Sequence, residues 1–163
     1  MKKILSFSLY LIFPVITFFA VFLIYASFKD FEPKETVILF KSENPDLLSD
    51  TATYSIITWD IGYCALGKEA SFIYDGGKDI TIPENKVKEN ILKIKEILSE
   101  NKQNDFILLQ EVDKDSKRSY YFNEFDTISN LFLNRHSVYG KNYDVFFVPS
   151  PPQKPEGKIN SGL

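Results

Sequence analysis

Two stretches decide the fold: YSIITWDIG at residues 54–62 and DFILLQEV at residues 105–112. Both are nearly apolar and rich in Ile, Trp, Tyr, Phe and Thr, residues that fit a pleated, buried strand. Apolar runs without alternation are the mark of strands covered on both faces, as in parallel sheets. Each run turns polar where it ends, the first at Asp60 before Gly62, the second at Gln110 and Glu111. Between them lies a helical pattern. Thr81 and Glu84 have the spacing of a capping box, with Pro83 in the first turn. Val87, Ile91, Ile94 and Leu98 then form one apolar stripe, and Lys86, Lys88, Glu89, Lys93, Lys95 and Glu96 fill a solvated face.

Strand, helix, strand predicts a crossover between parallel neighbours. That order brings the carboxyl ends of both strands, with Asp60 and Glu111, to one edge of the sheet, where open α/β sheets bind ligands. Two adjacent carboxylates repel unless a positive charge lies between them. A hard cation with oxygen ligands, such as Mg²⁺, satisfies both. The alternative at this level is a pair of surface or capping carboxylates.

Outward from these strands the pattern thins. Asp75-Gly76-Gly77-Lys78 marks a turn. A second helix is expected within residues 119–135, with Phe122, Phe125, Ile128, Leu131 and Phe132 on its core side. Residues 143–148, YDVFFV, predict a third strand, after which Pro149, Pro151, Pro152 and Pro155 enforce an extended loop. There is no internal repeat.

The words Ile57-Thr58-Trp59-Asp60-Ile61-Gly62-Tyr63 and, further on, Asp105-Phe106-Ile107-Leu108-Leu109-Gln110-Glu111-Val112-Asp113 resemble the endonuclease/exonuclease/phosphatase family. The resemblance covers residues 54–112. It implies an α/β fold, the incomplete N-terminal part of a four-layer α/β sandwich of the DNase I type. It further implies a lineage of Mg²⁺-dependent phosphoester hydrolases, with Glu111 as metal ligand and Asp60 beside it. Two departures stand out. The family carries asparagine where this chain has Asp60, and an ionised carboxylate accepts hydrogen bonds but cannot donate to a phosphate oxygen. The family's Asp-x-Asn pair and terminal Ser-Asp-His word have no counterpart here. The chain is therefore expected to be inactive alone, as a truncated domain over 54–163 with a phosphoester substrate class that the sequence does not name. The competing expectation is a non-catalytic interaction module, or one half of a split protein joined by a complementing C-terminal half.

The N-terminus predicts something else. Residues 4–28, ILSFSLYLIFPVITFFAVFLIYASF, carry no charged side chain. About 20 such residues span a bilayer as a helix, and the run exceeds the usual apolar core of a signal peptide. The expectation is one transmembrane helix within residues 1–28, kinked at Pro14, with Lys2 and Lys3 holding the N-terminus in the cytoplasm and the soluble part outside. The membrane is thus an expected partner. Residues 29–53, with Asp30, Glu32, Pro33, Glu35, Glu43, Pro45, Asp46 and Asp50, read as a linker, and residues 37–40 as a short strand within it.

Composition narrows the rest. Across 163 residues the formal net charge is −3, which excludes nucleic-acid binding through bulk positive charge. A single cysteine, Cys64, excludes an internal disulfide and a multi-cysteine zinc site, and reads as a packed small residue. The single histidine, His136, reads as an exposed loop or helix-end residue. Tyr120 and Tyr121 are expected in the core or at its rim, with an approach to substrate as the alternative, and Lys117 and Arg118 as a solvated pair, with a phosphate contact as the alternative.

Overall fold

A computed structural model of the chain describes residues 2–29, 31–43 and 48–163, and the side chains of residues 2–9 and 11 lie outside the description. The element order is α1 (Lys2–Phe28), β1 (Ile56–Asp60), α2 (Glu84–Glu100), β2 (Phe106–Gln110), β3 (Val112–Asp113), α3 (Glu124–Ser129), β4 (Lys141–Val148) and β5 (Gly157–Gly162). Short 3-10 turns stand at Gly62–Cys64, Ile73–Asp75 and Lys117–Ser119.

β1 and β2 pair in parallel, from Ile56 opposite Phe106 to Asp60 opposite Gln110. The ladder runs on past both strands, with Ile61 N–H donating to Gln110 O at 3.1 Å and Tyr63 N–H to Glu111 O at 2.9 Å. α2 is the crossover. Its stripe of Val87, Ile91, Ile94 and Leu98 is buried, as the spacing predicts. This stripe packs with Ile61, Tyr63, Cys64, Ala65, Val112 and Ile128 into the main core, against which Trp59, Ile107 and Leu109 lean. Thr81 does not cap α2: its hydroxyl donates to Arg118 O at 2.6 Å, tying the helix approach to a distant turn.

The second sheet is antiparallel, in the order β3-β5-β4. β3 follows β2 after one residue, Glu111, whose φ of 53 is left-handed. That bend takes the chain out of the parallel pair and into the other sheet. The protein is therefore mixed α/β with two small sheets, and the expected incomplete four-layer α/β sandwich of the DNase I type is not what these residues form. Nor are β1 and β2 buried on both faces. Ile56 and Leu108 stay 59% and 55% exposed, because only the α2 side of the pair is covered. The helix expected within 119–135 shortens to α3, which Asn123 starts by accepting from Asp126 N–H at 3.0 Å. No strand forms over residues 37–40.

The transmembrane expectation is also corrected. Among the described residues no helix is long and apolar enough to cross a membrane. The last turns of α1 are docked on β4. The Phe22 ring lies 5.3 Å from Phe147 and 6.3 Å from Phe146. Ala26 is buried, and Phe31 N–H donates to Asp144 O at 2.9 Å. The membrane anchor, the membrane as partner and the single-pass location with a cytoplasmic N-terminus are accordingly not supported. The side chains of Lys2 and Lys3, whose charges set that orientation, and residues Asp30, Pro45 and Asp46 of the linker lie outside the description.

Candidate functional site

The site lies where β1 and β2 end. Their parallel register sets Asp60 opposite Gln110, one residue before Glu111, so the strand ends share one edge. Asp60 is exposed, and its Oδ1 accepts Gly62 N–H at 2.9 Å, which closes the turn behind it. Gly62 is required there: its φ is +53, and a Cβ would stand 2.7 Å from the Leu66 Cβ. Glu111 is half-buried at the bend between the sheets. Its Oε2 is enclosed by protein and has no hydrogen-bond partner. Burial pushes the Glu111 carboxyl above the ordinary range, the Asp60 charge pushes it further, and Arg118 opposes both. A carboxylate so placed gains from a cation more than a solvated one does.

No protein-family model, curated protein or solved structure matches the chain.

The residues around Glu111 bear on what it holds. Arg118 is not one of a solvated pair. Its side chain is 12% exposed and that of Asp113 is 0% exposed. Arg118 Nε donates to Asp113 Oδ2 and Nη2 to Asp113 Oδ1, both at 3.1 Å. The guanidinium carbon sits 3.8 Å from the Tyr63 ring centre, and Glu156 lies 3.8 Å away on the Nη1 side. Tyr74 O–H donates to Glu156 Oε1 at 2.9 Å. Arg118 thus stands among Asp113, Glu156 and Glu111, so the surroundings of Glu111 remain net acidic and suit a cation better than a lone anion.

Among the described residues no group of three or more His, Cys, Asp and Glu side chains is arranged to hold a metal ion. Asp60 and Glu111 together offer two carboxylates. That donor set matches the habit of Mg²⁺, which keeps several waters and takes one or two protein carboxylates plus substrate oxygens. The enclosed, unpartnered Glu111 Oε2 fits the same ion.

Left-handed backbone clusters here: Gly62, Tyr63, Cys64, Glu111, Tyr120 and Tyr121 all have φ between 39 and 58. Non-glycine residues in this region cost about 1–3 kcal/mol each and gather at functional sites. Tyr63, Glu156 and Tyr74 were not legible as site neighbours, since they come from three separated segments. Tyr120 reaches back to Ile82 O at 2.9 Å, while Tyr121 stays exposed. Cys64 is buried, and burial pushes its thiol up, away from nucleophilic use. His136 lies on the surface against Phe40, ring centres 4.6 Å apart, and serves no carboxylate of the site.

Proposed function

We propose that this chain is an endonuclease/exonuclease/phosphatase-like protein, of a lineage of Mg²⁺-dependent phosphoester hydrolases, that binds the cation through Glu111 and Asp60. The observation that carries the reading is Glu111 itself, with one carboxyl oxygen enclosed and unpartnered beside the end of Asp60's strand. Bound there, Mg²⁺ would supply Lewis-acid polarisation of a phosphoryl oxygen. The chain's own part is to hold two oxygens toward that ion: Glu111 from a strained bend, Asp60 from a turn pinned by Gly62. Hydrolysis also needs a base to activate water. The single histidine of the chain, His136, is engaged with Phe40 at the surface, so hydrolysis by this chain alone is expected to be negligible.

The test is a calorimetric titration of the full chain with Mn²⁺ and Mg²⁺, run beside Glu111→Gln. One cation site, lost in the variant, is the expected result. No saturable binding up to millimolar Mn²⁺ sinks the reading. Mg²⁺-dependent cleavage of bis-p-nitrophenyl phosphate that disappears in Glu111→Ala overturns the inactivity.

A second reading has its own support. The outer face of the β1–β2 pair leaves Ile56, Phe106 and Leu108 uncovered, whereas parallel pairs are normally covered on both faces. An interaction module, completed by a complementing half that supplies the missing layer, accounts for that face. Leu108→Ser leaves the stability of the isolated chain unchanged under this reading and lowers it if the face is packed in solution.

A further inference from the structure

Glu124 is 0% exposed, and among the described residues no salt bridge reaches it. Its Oε2 accepts Asp113 N–H at 2.8 Å, and its Oε1 is enclosed with no hydrogen-bond partner. The titratable and charged groups that face it come from four places. Asp113 faces it from β3, Cys64 from the turn after β1, Arg118 from the turn at Lys117–Ser119, and Tyr139 from the approach to β4. The guanidinium of Arg118 is committed to Asp113 through two hydrogen bonds. Cys64 brings only a weak thiol donor. A buried carboxylate beside a second carboxylate, without a counter-ion, is stable only as the neutral acid.

We infer that Glu124 is a proton-held latch: as the neutral acid it fastens α3 to β3 through the Asp113 amide, and losing its proton loosens that corner. Protonation makes Oε1 a hydroxyl and leaves Oε2 as the acceptor for Asp113 N–H. Deprotonation, with the proton passing to solvent, puts a second negative charge against Asp113 inside the core. Burial first, then the Asp113 charge, move the Glu124 carboxyl up to about 8, outweighing the Asp113 amide, the Cys64 thiol and Arg118. Asp113 lies two residues beyond Glu111, so the latch also fixes the bend between the two sheets. It operates with or without a cation at Glu111.

The experiment uses the full chain with carboxyl-labelled glutamate, followed by NMR from pH 5 to 10 together with amide exchange. The Glu124 carboxyl is expected to titrate near 8. As pH rises toward that value, exchange of the Asp113 amide should exceed its ordinary base-catalysed rise by about tenfold or more, the size of a 1.4 kcal/mol local opening, and the excess should level off above it. In Glu124→Gln, which keeps the acceptor and cannot ionise, the excess vanishes. A Glu124 midpoint below pH 6, or an excess that persists in Glu124→Gln, overturns the inference. Should Glu124→Gln not fold, the wild-type carboxyl midpoint and the Asp113 amide, compared with the core amide of Leu98, decide the matter alone.

Discussion

Replacing Arg118 by leucine removes the cation from a nearly closed pocket, and the cost can be worked out from its surroundings. The substitution deletes two hydrogen bonds to Asp113 at 3.1 Å and one to Ser161 Oγ at 3.3 Å. It leaves Asp113 with a 0% exposed side chain and no positive partner, while Glu156 at 9% loses the nearest positive charge. Breaking a buried pair from one side costs about 3–5 kcal/mol, most of it the unpaired charge left behind. Contact with the Tyr63 ring at 3.8 Å adds to the loss. Solvent screening reduces this little, since both partners are enclosed. The assay is urea denaturation of the full chain at pH 6, with Arg118→Leu, Asp113→Asn and the double variant. With about 2 kcal/mol per molar urea, Arg118→Leu should lower the midpoint by about 1.5–2.5 M. The double variant should lose well under the sum of the singles, with a coupling above about 1 kcal/mol. A single-variant cost below about 1 kcal/mol, or strict additivity, would refute the claim that this pair is desolvated and coupled.

Leu98→Ala should cost about 2–5 kcal/mol in the same denaturation assay, because Leu98 is 0% exposed at the centre of the core; a loss under 1 kcal/mol would mean that α2 is not packed as described. Glu124 gives a pH dependence with a definite sign. Its folded value near 8 lies above the unfolded one, so its stabilising contribution is full below about pH 4.3. It declines as pH rises toward 8 and is then spent. Wild type should therefore lose up to about 1.4 kcal/mol per pH unit relative to Glu124→Gln within that window, and parallel curves would contradict this. Glu111→Gln should raise the stability of the cation-free protein near neutral pH, since burial and Asp60 disfavour the charged form, while abolishing Mn²⁺ binding; a destabilised variant would count against that electrostatic picture. In the loop, Gly77→Ala should lower the melting temperature more than Gly76→Ala. A Cβ at 77 would stand 2.1 Å from Ser71 O, whereas one at 76 meets nothing within 4 Å and bears only the strain of φ +85.

What sequence alone determined was local. The spacing of Val87, Ile91, Ile94 and Leu98 fixed α2 and its buried face, since a helix with one apolar stripe has one way to hide it. The β-forming runs fixed β1 and β2, and the helix between them fixed their parallel order and the shared edge of Asp60 and Glu111. The tertiary structure decided what depends on contacts between distant segments. A left-handed bend at Glu111 ends the parallel sheet and sends the chain toward β5, an outcome no apolar pattern encodes. Arg118 is buried because Asp113, Tyr63 and Glu156 converge on it from three places, though beside Lys117 it reads as solvent-facing. The end of α1 packs on Phe146 and Phe147, partners that lie more than a hundred residues away. The Glu124 carboxyl is pushed up for the same reason: burial and the Asp113 charge belong to the assembled core, and neither exists until the chain has folded.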